Sequence, residues 1–182
     1  MIKRTVWIIA AIVGGAIAVL AVVAWVLAAN APARQMAFPP WYPATNDSGD
    51  PAFVDFENHV PCAVDDSPAE DCQRVKFSLV LYRDAESNEP TTYVMSRLRV
   101  GVSNDRQVNE GTWSIGQGTA LDPEATVYQL DTGAPEGLDV YWPIGDDILF
   151  VLDEQLMPRV GDAAYGYALN SVPLGKWNSV PE

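Results

Sequence analysis

Two hydrophobic patterns divide this chain. From Thr5 to Ala29 it runs without a charge as TVWIIAAIVGGAIAVLAVVAWVLAA, apolar on every side. From Ala52 onward, apolar residues come instead in short runs of Val, Tyr, Phe, Trp and Thr, broken by Gly, Pro, Asn and Asp at intervals of roughly ten residues. The first pattern is long enough to cross a hydrocarbon core of about 30 Å, so it predicts one transmembrane helix within residues 1–29. Trp7 and Trp25 would lie ~27 Å apart along it, one near each interface. Lys3 and Arg4 precede the run and the next charge is Arg34, which orients the N-terminus to the cytoplasm and everything after Asn30 to the outside. The predicted location is thus the inner (cytoplasmic) membrane, with a periplasmic C-terminal domain. A cleavable signal has a shorter apolar core of ~7–15 residues, so an anchor is the reading adopted, although Ala31-Pro32-Ala33 would serve as a cleavage site.

The second pattern predicts strands near Ala52–Asn58, Val75–Arg83, Thr92–Val102, Gly111–Ile115, Thr126–Leu130, Asp139–Pro143, Ile148–Leu152 and Tyr165–Leu169. Val75, Phe77, Leu79 and Leu81 alternate with Lys76, Ser78 and Tyr82, the signature of a strand that buries one face and exposes the other. These strands form an all-β domain over residues 52–182. A small antiparallel up-and-down barrel would leave it no open sheet edge. Between helix and barrel, residues 30–51 hold five prolines and no periodicity and read as an extended arm. Met36, Phe38, Trp41 and Tyr42 are too apolar for a solvated linker. They pack on the domain, on membrane or on a neighbouring subunit.

Charge narrows the partners. Of the 11 basic residues two precede the apolar run, whereas all 24 acids follow it, leaving the rest of the chain at a formal −15. Nucleic acid and anionic lipid would be repelled, and a basic protein surface is the natural complement. No stretch carries the alternating ligand pattern of an EF-hand.

Both cysteines and the only histidine fall within residues 59–72. Outside the cytoplasm two cysteines are expected to pair, and closing the loop from Cys62 to Cys72 would stabilise the fold by roughly 2.5–3 kcal/mol. Ligation of copper or another metal by His59, Cys62 and Cys72 is the alternative, and redox chemistry a third. Nine intervening residues are far from the two-residue gap of zinc knuckles and thioredoxin-like motifs.

The order of several short motifs resembles the N-terminal domain of the NlpE copper-resistance and envelope-stress lipoprotein family. Pro61-Cys62 and Asp71-Cys72 resemble the two halves of its Pro-Cys-x-x-Cys turn, opened by an acidic insertion. Gly111-Thr112-Trp113 resembles its Gly-Thr-Trp strand, Leu152-Asp153 its following hairpin with the turn glycine replaced by Gln155 or Leu156, and Tyr167 with Leu169 its closing Tyr-x-Leu. The likeness spans about residues 53–170. It implies a lipocalin-related barrel without enzymatic activity that senses copper or surface stress through other envelope proteins. Residues 1–182 show no lipobox, and the two cysteines are spaced more widely than the family's close pair.

Catalysis finds little footing. A single histidine beside a paired cysteine makes no nucleophile–base–orienter set, and Gly116-Gln117-Gly118 reads as a hairpin turn. The apolar helix offers more: Ala10, Gly14, Ala18 and Ala21 fall near one face, where another helix could approach closely. Helix, arm and acidic barrel together suggest a non-catalytic accessory or scaffolding subunit on the outer face of an integral membrane complex, respiratory or photosynthetic. An NlpE-like sensor and a lipocalin-like ligand carrier are the alternatives, and no resident cofactor is expected beyond the possible copper.

Overall fold

A computed structural model of the protein describes residues 42–64 and 71–174. The chain divides into two compact units, 1–36 and 37–182, and every described residue belongs to the second. The predicted transmembrane helix lies outside the described residues. Among those described, no helix is long and apolar enough to cross a membrane.

Eight antiparallel strands close into a barrel in sequence order: β1 (Ala52–Val60), β2 (Arg74–Arg83), β3 (Pro90–Val100), β4 (Gln107–Gln117), β5 (Thr126–Leu130), β6 (Val140–Ile144), β7 (Ile148–Val151) and β8 (Ala168–Val172). The last strand returns to the first through Asp55↔Val172, Phe56↔Ser171 and Glu57↔Asn170, so no edge is left open. A one-turn 3-10 helix, Cys62–Val64, bends the chain out of β1.

The sequence pattern predicts each strand, with corrections at the boundaries, the largest in β3, β4 and β8. β8 begins three residues later than expected and runs on to Val172. Asp162 accepts hydrogen bonds from the amides of Ala164 and Tyr165 and holds them in a turn, while pairing with β1 draws Asn170 to Val172 into the sheet. β3 stops at Val100 because Gly101 adopts φ +95°, and a Cβ there would meet the Asp71 carbonyl.

Inward side chains meet in one cluster. Phe56 and Val60 from β1, Val75, Phe77, Leu79 and Leu81 from β2, Tyr93 and Met95 from β3, Trp113 from β4, Tyr141 from β6, Leu149 and Val151 from β7 and Leu169 from β8 fill the axis. Period-two alternation in eight strands with side chains this large leaves the barrel packed, as expected of a small one. Burying side chains of this size contributes about 1.5–3 kcal/mol each. Trp113 also satisfies its indole, donating from Nε1 to the Tyr82 carbonyl at 2.8 Å.

Candidate functional site

The most unusual chemistry lies on the outside of the barrel. Alternation that sends Phe56 and Val60 inward turns Asp55, Glu57 and His59 of β1 outward, opposite Val80, Ser78 and Lys76 of β2. Outward positions are normally solvated, yet Asp55, Ser78, Val80 and Tyr82 are 0%, 2%, 1% and 0% exposed.

A strap formed by residues 42–51 covers part of this wall. Asn46 donates to the Thr92 hydroxyl of β3 at 2.8 Å, and Tyr82 of β2 donates to the Pro43 carbonyl at 2.9 Å. Tyr42 reaches the Asp55 carboxyl of β1. The strap thus crosses β3, β2 and β1 in turn. Asn46 also shapes it from within, accepting from the Ser48 and Asp50 amides and donating to the Asp50 carboxylate, an Asx-type turn that suits this residue. The Ala52 amide donates to the Ala44 carbonyl and feeds the strap into β1.

Asp55 is the electrostatic centre of the wall. Ser78 donates to its Oδ1 at 3.2 Å, while its Oδ2 is buried without a hydrogen bond. Burial first, and the like charge of Glu57 second, push its carboxyl far above the usual carboxylate range, to about 8. Both effects favour the protonated carboxyl at neutral pH. Burial and the same carboxyl raise the phenols of Tyr42 and Tyr82. Farther along the wall, Arg106 donates to the Ser96 hydroxyl at 2.9 Å and borders, with Glu57, His59 and Asn170, an open cleft of about 330 Å³.

One barrel mouth is aromatic. The Arg83 guanidinium lies 3.8 Å from the Phe53 ring centroid and 5.3 Å from that of Trp113, with Tyr128 edge-on to Trp113 at 5.0 Å. Cation–π contact of this kind holds a charge over an apolar core. A cleft of about 570 Å³ opens here, lined by Phe53, Phe56, Tyr128 and the Asp146–Asp147 turn.

At the other end a disulfide joins Cys62 to Cys72, with Cα atoms 6.0 Å apart. It ties the one-turn helix, whose Val64 enters the core, to the start of β2, and Cys72 packs on the same cluster. The staple reading of the two cysteines is what the structure contains. With both sulfurs in the bridge, the metal reading would require the reduced protein, and among the described residues no group of three His, Cys, Asp or Glu side chains converges. His59 is exposed on β1 and meets the Tyr165 ring edge-on at 6.3 Å. Partial burial, then Arg74 and Lys76, lower its pKa.

Of the partner-binding residues read from the sequence, Tyr42 is described, and it packs on the barrel wall. Ala10, Gly14, Ala18, Ala21, Phe38 and Trp41 lie outside the described residues. The sequence pattern puts Ser78 and Tyr82 on the exposed face of their strand, and the structure corrects this: both are buried on the outer wall. The pattern gives no role to Asp55 or Arg83. For Asp55 the available signal was an acid inside the strand run Phe-Val-Asp-Phe.

Comparison of the chain with protein-family models, with curated proteins and with solved structures yields no match.

Proposed function

We propose that the protein is a non-catalytic accessory subunit, anchored by its N-terminal apolar run at the inner membrane, whose periplasmic barrel docks on an integral membrane complex of the respiratory or photosynthetic kind. The observation that carries this reading is the contrast between the two faces of the barrel. The interior is occupied by its own side chains, whereas the outer wall buries Asp55, Ser78 and Tyr82 and binds a strap of polypeptide. A barrel that is full inside and adhesive outside suits protein contact better than carriage of a small ligand. The formal −15 that follows the apolar run favours a basic partner surface.

Purification of the tagged full-length protein in mild detergent tests this reading. Stoichiometric recovery of one integral membrane complex is the expected result, and a free monomer would overturn it.

An NlpE-like copper or envelope-stress sensor is the second reading, supported by the placement of its motif residues: Gly111 packs where a Cβ would strike Asp131 and Tyr93, and Trp113 and Leu169 both enter the core. Unchanged copper tolerance and stress signalling in a deletion strain would sink it.

A further inference from the structure

We infer that the outer wall of β6 and β7, with Ala168 of β8, is the surface that receives the partner, and that the partner offers it a protein patch with an apolar centre and a Lys/Arg rim. This inference rests on the accessory-subunit reading above and names the site through which it would act.

The inward set on these strands is Tyr141, Leu149, Val151 and Leu169. Every outward position is also apolar: Val140, Trp142 and Ile144 on β6, and Ile148 and Phe150 on β7. Cross-strand register sets Trp142 against Phe150 and Ile144 against Ile148, and places Ala168 beside Phe150. The Trp142 and Phe150 ring centroids are 6.4 Å apart. None of these outward residues is buried, and Ile144 is 40% exposed. Strands apolar on both faces are built to be covered on both; Ile144 is exposed and Val140, Trp142, Ile148, Phe150 and Ala168 are half-buried, a contiguous apolar surface of the kind that marks an interaction site. On β4 the outward positions Glu110, Thr112 and Ser114 are polar and exposed, with Val108 at the strand start the one large apolar side chain on that face. Two-faced apolarity is therefore not a general property of this barrel.

The rim identifies the occupant. From Asp139 to Pro158 the chain carries Asp139, Asp146, Asp147, Asp153 and Glu154 and no Lys, Arg or His. Asp139 and the Asp146–Asp147 turn are exposed and flank the strands, and Asp153 and Glu154 follow β7. Arg159, the next cation, lies 5.3 Å from the Tyr167 ring centroid. A second copy docking isologously would face this acidic rim with its own, and anionic lipid would be repelled by it. A heterologous protein patch with basic residues around an apolar centre fits both parts.

The test uses the full-length protein in mild detergent. Phe150→Glu and Trp142→Glu, each checked for an intact disulfide and a cooperative melt, are expected to lower recovery of the complex more than tenfold, and Ser114→Glu on β4 to leave it unchanged. Reversal of Asp146 and Asp147 to Lys is expected to weaken recovery by a similar factor. Should either glutamate variant misfold, a photo-crosslinking residue at position 150 gives the same information, and a crosslink to a Lys- or Arg-bearing segment of the complex is the expected product. Full recovery with folded Phe150→Glu and Trp142→Glu overturns the site while leaving the accessory-subunit reading intact. Failure of the unsubstituted protein to recover any complex overturns that reading. A crosslink from position 150 to lipid, to a second copy or to residues 30–41 of the same chain overturns the partner proposed here.

Discussion

The Ser78 hydroxyl donates to Oδ1 of Asp55 at 3.2 Å on the outside of a barrel wall, yet neither residue is exposed. An acid so placed makes stability depend on pH in a window where carboxylates normally do not titrate. In the unfolded chain Asp55 ionises near the ordinary carboxylate value of about 3.9, and in the folded protein only near 8. Its contribution is complete below pH 4 and is lost as pH rises to 8, with a slope of at most one proton, ~1.4 kcal/mol per pH unit. Denaturant melts of the native protein and Asp55→Asn from pH 5 to pH 8 should therefore diverge, the native protein losing stability relative to the variant. Parallel curves would contradict the buried neutral acid.

The strap depends on Asn46, whose side chain makes four hydrogen bonds. Asn46→Ala removes them all and leaves the Thr92 hydroxyl without this donor. At about 1 kcal/mol for a typical intramolecular bond, discounted for partial exposure, the expected loss is ~1–3 kcal/mol in urea unfolding. Tyr82→Phe, which deletes only the bond to Pro43, should cost about 1 kcal/mol.

Replacing both cysteines by serine opens the loop from Cys62 to Cys72 and should lower stability by roughly 3 kcal/mol. Thiol labelling under native conditions should find neither sulfur reactive before reduction. Rapid labelling of the unreduced protein would return the cysteines to the metal reading.

Leu156 sits at φ +58° in the turn that follows β7, where Asp153 accepts from the Gln155 and Met157 amides. A left-handed leucine costs roughly 1–2 kcal/mol, while glycine at the same place gives back part of that in unfolded-state entropy. Leu156→Gly should raise stability by ~0.5–1 kcal/mol in a thermal melt. A loss would mean that the exposed leucine side chain makes contacts worth more than the strain.

Much of the fold is written in the alternation. Val75, Phe77, Leu79 and Leu81 announce their inward face, and Gly111-Thr112-Trp113 falls on β4. The cysteine pairing also followed from the expected compartment. Other features were hidden because burial of an outward residue depends on what lies across it, which is a tertiary fact. Asp55 reads locally as one more acid in an acidic domain until the strap is placed above it. The pattern predicts β4 too short because Gln107, Asn109 and Glu110 are polar and none of residues 107–110, the exposed Val108 included, is buried. The apolar outward set of β6 and β7 is present in Val-Tyr-Trp-Pro-Ile and Ile-Leu-Phe-Val, but a continuous apolar run does not state which residues face the core.

The pairing of β8 with β1 carries a consequence for biosynthesis. The three rungs that close the barrel join strands at opposite ends of the described chain, so no ribosome-bound intermediate can complete the cylinder before Val172 has emerged. Until then β1 presents an unpaired edge, and the loop that must close spans nearly the whole domain, which slows folding of such topologies. A chain released before Ala168 would carry two open edges into a crowded compartment, a substrate for chaperones or proteases rather than a shortened version of the native protein.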